Sequence, residues 1–158
     1  MQLLSLRQLR SFRGVTLYYT KLEIVTSFRK WELPGIFYML KACPVLKELV
    51  ILSAIRNDKI EVPQDFMMQH DFQEYTYLRS QLISFKGKLK CLETVRFMIR
   101  DGEYQTWEEG FFELYYFFNG SRIGPELAAF LRLTAPNLKR MIFETWEQHH
   151  EVCFQANN

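Results

Sequence analysis

Long apolar runs are missing from this sequence. No run, including residues 49–52, exceeds five residues, far short of the roughly 20 a membrane helix needs. The amino-terminal Met-Gln-Leu-Leu-Ser-Leu-Arg segment holds no apolar stretch long enough for a signal peptide. Charge of one sign is also missing: 20 Lys plus Arg against 18 Asp plus Glu leave a formal net charge of +2. That balance argues against a nucleic-acid footprint, which needs a clustered basic face. The basic residues form separate short sets, Arg7, Arg10 and Arg13 and then Lys86, Lys88 and Lys90, which read as solvated edges.

Cysteine is scarce. Cys43, Cys91 and Cys153 are an odd number at wide spacing, which fits neither a disulfide framework, a zinc knuckle nor a CxxC redox pair. Free buried thiols in a reducing compartment is the expectation. Asn119-Gly-Ser121 matches a glycosylation sequon, but without a secretory signal it reads as a turn. Glycine-rich phosphate loops, nucleophile elbows and dinucleotide fingerprints are absent. The sequence therefore implies an intracellular protein of cytoplasm or nucleus, with no membrane, nucleic-acid, cofactor or metal partner.

What is there is apolar and aromatic. Of 158 residues, 48% are apolar and 16% aromatic, with fourteen Phe, eight Tyr and three Trp. Each buried ring removes roughly 150–250 Å² from water, so one domain with a sizeable core is within reach.

Three segments share one pattern: Leu46-x-x-Leu49-x-Ile51, Leu92-x-x-Val95-x-Phe97 and Leu138-x-x-Met141-x-Phe143, each 46 residues after the last. A fourth candidate, Phe12-x-x-Val15-x-Leu17, lies 34 residues before the first. Apolar-x-x-apolar-x-apolar is the strand signature of leucine-rich repeats, and its alternation puts Leu49 and Ile51 on one face and Val50 on the other. A helix-like segment halted by Pro44 precedes one copy, and another halted by Pro136 precedes a second. Proline cannot continue a helix and biases its predecessor towards extended geometry. A weaker helix at residues 77–85 ends at Gly87. The fold implied is α/β: a leucine-rich-repeat solenoid-like stack, with parallel strands on one side and helices on the other. The spacings exceed the roughly 20–29 residues of ordinary repeats, so the spacers must hold insertions or an additional repeat, for which Leu22-Glu-Ile24 is a candidate strand.

Four regions follow. Residues 1–56 hold amino-terminal repeat units, 57–75 an inserted polar loop, 76–146 carboxy-terminal repeats, and 147–158 a polar tail. Within the third, residues 102–124 form an aromatic insertion. Thr106 and Glu109 there have capping-box spacing, and Trp107, Phe111, Leu114, Tyr115 and Phe118 would fall on one helical stripe.

Residues 35–52, GIFYMLKACPVLKELVIL, resemble the helix-Cys-Pro-strand repeat of plant F-box/leucine-rich-repeat proteins. Residues 89–99 and 126–143 are similar to the two halves of the FBD region that closes such proteins. The resemblance implies the substrate-recognition part of an SCF-type ubiquitin ligase, whose F-box docks a Skp-type adaptor while the repeats hold a protein target. This sequence starts in repeat material without the F-box, so the adaptor is implied only for a longer form that carries one. The long insertion at 102–124 is a second departure from the family pattern.

The expected role is a non-catalytic protein-binding module. Its surface would be the strand positions facing away from the helices: Thr16 and Tyr18; Glu48, Val50 and Leu52; Thr94, Arg96 and Met98; Arg140, Ile142 and Glu144. A mixture of charged and apolar groups suits protein recognition. Two rival readings are a truncated product without independent function and an enzyme with an unrecognised site. For the latter, His149 and Cys153 at helical spacing offer two metal ligands where zinc needs three or four. Neither Cys43 nor Cys91 has a base paired with it by spacing.

Overall fold

A computed structural model of the chain describes residues 15–53, 73–99, 123–144 and 149–154. The inserted loop over 57–72 and the aromatic stripe at residues 107–118 lie outside them, as does His70.

The described chain is α/β. Strands β1 (Lys21–Thr26), β2 (Glu48–Ser53), β3 (Thr94–Ile99), β4 (Arg140–Glu144) and β5 (His149–Cys153) form one sheet in chain order. The first four run parallel, and β5 returns antiparallel to β4. Helices α1 (Leu33–Ala42), α2 (Glu74–Phe85) and α3 (Ile123–Thr134) occupy the three parallel crossovers.

Local sequence explains where the helices start and stop. Pro34 sits in the first turn of α1, where its missing N–H removes no helical bond. Pro44 and Pro136 follow the ends of α1 and α3 within two residues. Gly87 follows α2 with φ of 72°, a left-handed conformation glycine adopts without steric cost.

The three 46-residue copies stand in strict register. Leu49, Val95 and Met141 are neighbours across the sheet, and Ile51, Phe97 and Phe143 form the next row. Phe97 and Phe143 stack with ring centres 5.3 Å apart and planes within 4°. The leading leucines Leu46, Leu92 and Leu138 are buried in the same core. The same core takes in Leu33, Ile36, Phe37 and Leu40 of α1 and Leu127 and Leu131 of α3. Phe37, Phe85 and Phe130, one from each helix, meet with ring centres 4.7–5.4 Å apart at steep angles. Edge-to-face packing sets the positive ring edge against the negative face, worth about 0.5–1.5 kcal/mol beyond area burial.

Several sequence-based boundaries shift. The fourth pattern copy, Phe12-x-x-Val15-x-Leu17, is not a strand where described: Val15 and Leu17 lie in irregular chain ahead of β1. The additional candidate, Leu22-Glu-Ile24, is β1, with Leu22 beside Leu49 and Ile24 beside Ile51. Helix α2 begins at Glu74, inside the expected loop, and α3 begins at Ile123, inside the expected insertion. Part of the expected polar tail is a strand, β5, whose Val152 packs against the core while β4 gains a hydrogen-bonded neighbour. The odd strand is antiparallel, so the sheet is mostly parallel where an all-parallel stack is expected from the repeats.

Among the described residues the cysteines form no disulfide; Cys43 is buried, Cys91 half-buried and Cys153 exposed. Burial is thus general to one thiol where the sequence leads one to expect it of all three. No described helix is long and apolar enough to cross a membrane.

Candidate functional site: the open face of the sheet

Strand alternation sends every second side chain away from the helices. Register then arranges those positions in three rows. The first is Lys21, Glu48, Thr94, Arg140 and Cys153; the second is Glu23, Val50, Arg96, Ile142 and Glu151; the third is Val25, Leu52, Met98, Glu144 and His149. Nine of the expected surface residues, three each from β2, β3 and β4, therefore share one face. Thr16 and Tyr18 do not join them, because they precede β1 and lie off the sheet.

Sequence reasoning missed the two ends of each row. On β1 these are Lys21, Glu23 and Val25; on β5 they are His149, Glu151 and Cys153. The alternation around Leu22 and Ile24 carries a signal for the first set. For β5 a lone inward Val152 is all the sequence offers.

The face is less open at its centre than alternation alone implies. Val50 and Ile142, either side of Arg96 in the middle row, are 4% and 3% exposed. Thr94 is also buried, while Leu52 and Met98 are half-buried and Val25 is exposed. Charged groups pair across the strands around this apolar centre. One guanidinium nitrogen of Arg96 donates to both carboxylate oxygens of Glu144, at 2.8 and 2.9 Å. Nδ1 of His149 lies 2.9 Å from Glu144 Oε1, and its Nε2 lies 3.8 Å from Glu151 Oε2. Arg140 approaches Glu151 at 4.0 Å, and Lys21 approaches Glu48 at 3.4 Å.

Glu144 shows the electrostatic outcome. Its partial burial pushes the carboxyl upward, but hydrogen bonds and charge from Arg96 and His149 outweigh that, leaving it below the usual 4.5. A carboxylate held this way is an anchor for the Arg96 guanidinium and the His149 ring more than a proton donor.

Several sequence candidates for chemistry are not brought together. His149 and Cys153 sit on a strand where a helix would have made them neighbours; four residues of strand span about 14 Å. Cys153 instead contacts Glu151 at 3.7 Å. Burial pushes the Cys43 thiol up, which disfavours the nucleophilic thiolate. Among the described residues no three His, Cys, Asp or Glu side chains group in a way that could hold a metal ion.

Comparison with known proteins returned no matching family model, no matching curated protein and no matching solved structure.

Proposed function

We propose that the chain is a non-catalytic, protein-binding module of the leucine-rich-repeat type, resembling the recognition half of F-box/FBD proteins, and that it holds its target on the open face of the sheet. The observation that carries this reading is the in-register alignment of the 46-residue copies, which lines up Val50, Arg96 and Ile142 and the rows beside them. The accessible apolar groups of the face, Val25, Leu52 and Met98, lie beside paired charges, a layout suited to protein recognition, in which apolar contacts supply energy and the charged surround supplies orientation. A Skp-type adaptor enters only through a longer form that carries an F-box.

The test is capture of a defined target by the wild-type chain and by Met98→Asp and Val25→Asp, two substitutions at half-buried or exposed open-face positions. Both variants should keep the wild-type circular dichroism spectrum and lose the captured protein. A captured protein indifferent to both substitutions sinks the open-face reading.

A further inference from the structure

In a parallel sheet fed by helices, every helix carboxy-terminus and every strand amino-terminus meets at the same end. Here that end gathers lysines which the sequence scatters. Backbone hydrogen bonds tie its successive layers: Lys47 N–H donates to the Thr20 carbonyl, Glu93 N–H to Lys47, and Lys139 N–H to Glu93. The turn after α2 adds Lys86, Lys88 and Lys90, and α1 ends beside it with Lys41. All six lysines are exposed. Asn137 of the next layer donates to the Lys90 carbonyl, which fixes the turn against its neighbour. Gly87, with φ of 72°, shapes that turn, and the Lys90 side chain folds over it, as a Cβ there would lie 3.2 Å from its Cε.

Among the described residues of these layers, Glu93 is occupied by Lys139 at 2.8 Å and Glu48 by Lys21 at 3.4 Å. Lys47, Lys86, Lys88 and Lys90 have no ion-pair partner among the described residues. Lys41 is lowered from its ordinary value, first by partial burial and then by the charge of nearby Lys88. Helix dipoles explain part of this basic end. A cation in the last turn complements the negative helix terminus, but that effect dies away within a turn. Lys41 and Lys86 fall in range of α1 and α2; Lys47, Lys88 and Lys90 lie beyond it. At the β1 side the same rim carries Tyr18 and Tyr19, 77% and 61% exposed, just ahead of Thr20.

We propose that this rim is a second docking surface, at which Lys47, Lys88 and Lys90, flanked by Tyr18 and Tyr19, recognise an acidic stretch of a partner protein. The proposal rests on the reading of the chain as a protein-binding module but uses a different surface from the open face. Charge complementarity sets the sign of the partner. The ammonium groups are point charges on flexible stems, so they can accept carboxylates that hold no fixed orientation. From β1 to β4 the rim crosses three strand spacings, about 14 Å, the reach of roughly four extended residues. Exposed tyrosines supply rigid contact area of the kind that concentrates binding energy.

The experiment is fluorescence anisotropy of a labelled eight-residue Glu/Asp peptide with the full chain, beside a Gln/Ser peptide and a single-stranded oligonucleotide of equal length. The acidic peptide should bind, the neutral one should not, and added salt should weaken binding steeply. Lys88→Gln with Lys90→Gln should reduce affinity about tenfold, and Lys47→Glu added to that pair should abolish it. The Gln pair keeps the test valid if the triple variant melts early. Met98→Asp should leave peptide binding intact, so failure of the open-face reading is separable from failure of this one. Absence of peptide binding at low salt, tighter binding of the oligonucleotide, or indifference to the Gln pair would each overturn the proposal.

Discussion

Arg96 and Glu144 are 48 residues apart in sequence, yet one guanidinium nitrogen contacts both carboxylate oxygens across β3 and β4. The pair is diagonal: Arg96 faces Ile142 in the register, and its charge reaches one same-face position further along β4. Nothing in the local sequence of either strand announces it. It also changes how the open face should be probed. Replacing Arg96 by Glu sets a second carboxylate beside Glu144, so loss of binding would be mixed with loss of stability.

The clean probe is a charge swap. Arg96→Glu alone should destabilise the domain by about 1–2 kcal/mol through like-charge contact, and Glu144→Arg alone by a similar amount. The double swap should recover most of that loss, because the pair re-forms with its polarity reversed. Urea denaturation of the four proteins gives the coupling free energy directly. A double variant no more stable than the sum of the singles would mean that the pair contributes nothing to the fold.

Acid should loosen the same corner of the sheet. Glu144 is depressed below 4.5 in the folded state, so its contribution to stability is present in full above the unfolded value. It is then lost as pH falls from about 4.5 through the lower folded value. Glu144→Gln should flatten the stability profile in that window and leave the neutral-pH slope unchanged. Thermal melts at half-unit pH steps between about 3 and 7 would show it.

The aromatic junction of the three helices should be the costliest place to cut. Phe37 is 1% exposed and touches Phe85, Phe130 and Tyr77. Phe37→Ala should cost about 3–5 kcal/mol, a large share of the roughly 5–15 kcal/mol that holds a domain together. Phe37→Leu, which retains most of the volume, should cost clearly less. Equal losses for the two variants would place the energy in the ring contacts and not in the volume filled.

A turn between β1 and α1 offers a polar counterpart. One carboxylate oxygen of Glu32 accepts hydrogen bonds from the Thr26 hydroxyl and the Ser27 and Arg29 amides, at 2.8, 2.9 and 3.1 Å. The Thr26 hydroxyl in turn accepts from the amide of Phe28, which is held at φ of 53°. Glu32→Ala should cost about 1–3 kcal/mol, since it strips an acceptor from amides in a partly buried turn. Phe28→Gly would relieve about 1–3 kcal/mol of backbone strain but remove a buried ring worth more, so it too should destabilise. Guanidinium midpoints for both variants check the sign.

How much was legible follows from which forces act locally. Strands β2, β3 and β4 showed in the sequence because each needs a buried residue at three fixed positions, and the need repeats every 46 residues. Strand β1 shows in the sequence only as the additional candidate Leu22-Glu-Ile24 and not as a copy of the pattern, because it lies at the end of the strand order. The position matching Leu46, Leu92 and Leu138 is Tyr19, 61% exposed, so the leading leucine is missing and Phe12-x-x-Val15-x-Leu17 matches the pattern better. The same match draws Thr16 and Tyr18 to the open face, although they precede β1. Strand β5 was hidden by its composition, since a terminal strand has one face of contacts to satisfy and His-His-Glu-Val-Cys reads as polar. The basic rim was invisible for a different reason: Lys47, Lys90 and Lys139 are neighbours only through the layering of the sheet.

Alkaline titration gives a last test of the helix layer. Tyr77 of α2 packs its ring against Phe37 at 5.8 Å, and burial pushes its phenol up to about 12. Burial disfavours the phenolate, so the folded state holds the proton that an unfolded chain would release near 10. The sign is that of a raised pKa: the stabilisation is complete below about 10 and lost as pH rises towards about 12. Absorbance at the phenolate band should therefore show a late step from Tyr77, together with loss of the near-ultraviolet dichroism of the aromatic junction. Tyr77→Phe should delete that late step and extend the folded range to higher pH, because the ring stays and the ionisable group goes. A late step that survives the substitution would move the buried phenol elsewhere and leave α2 less firmly seated on α1 than its ring contacts imply.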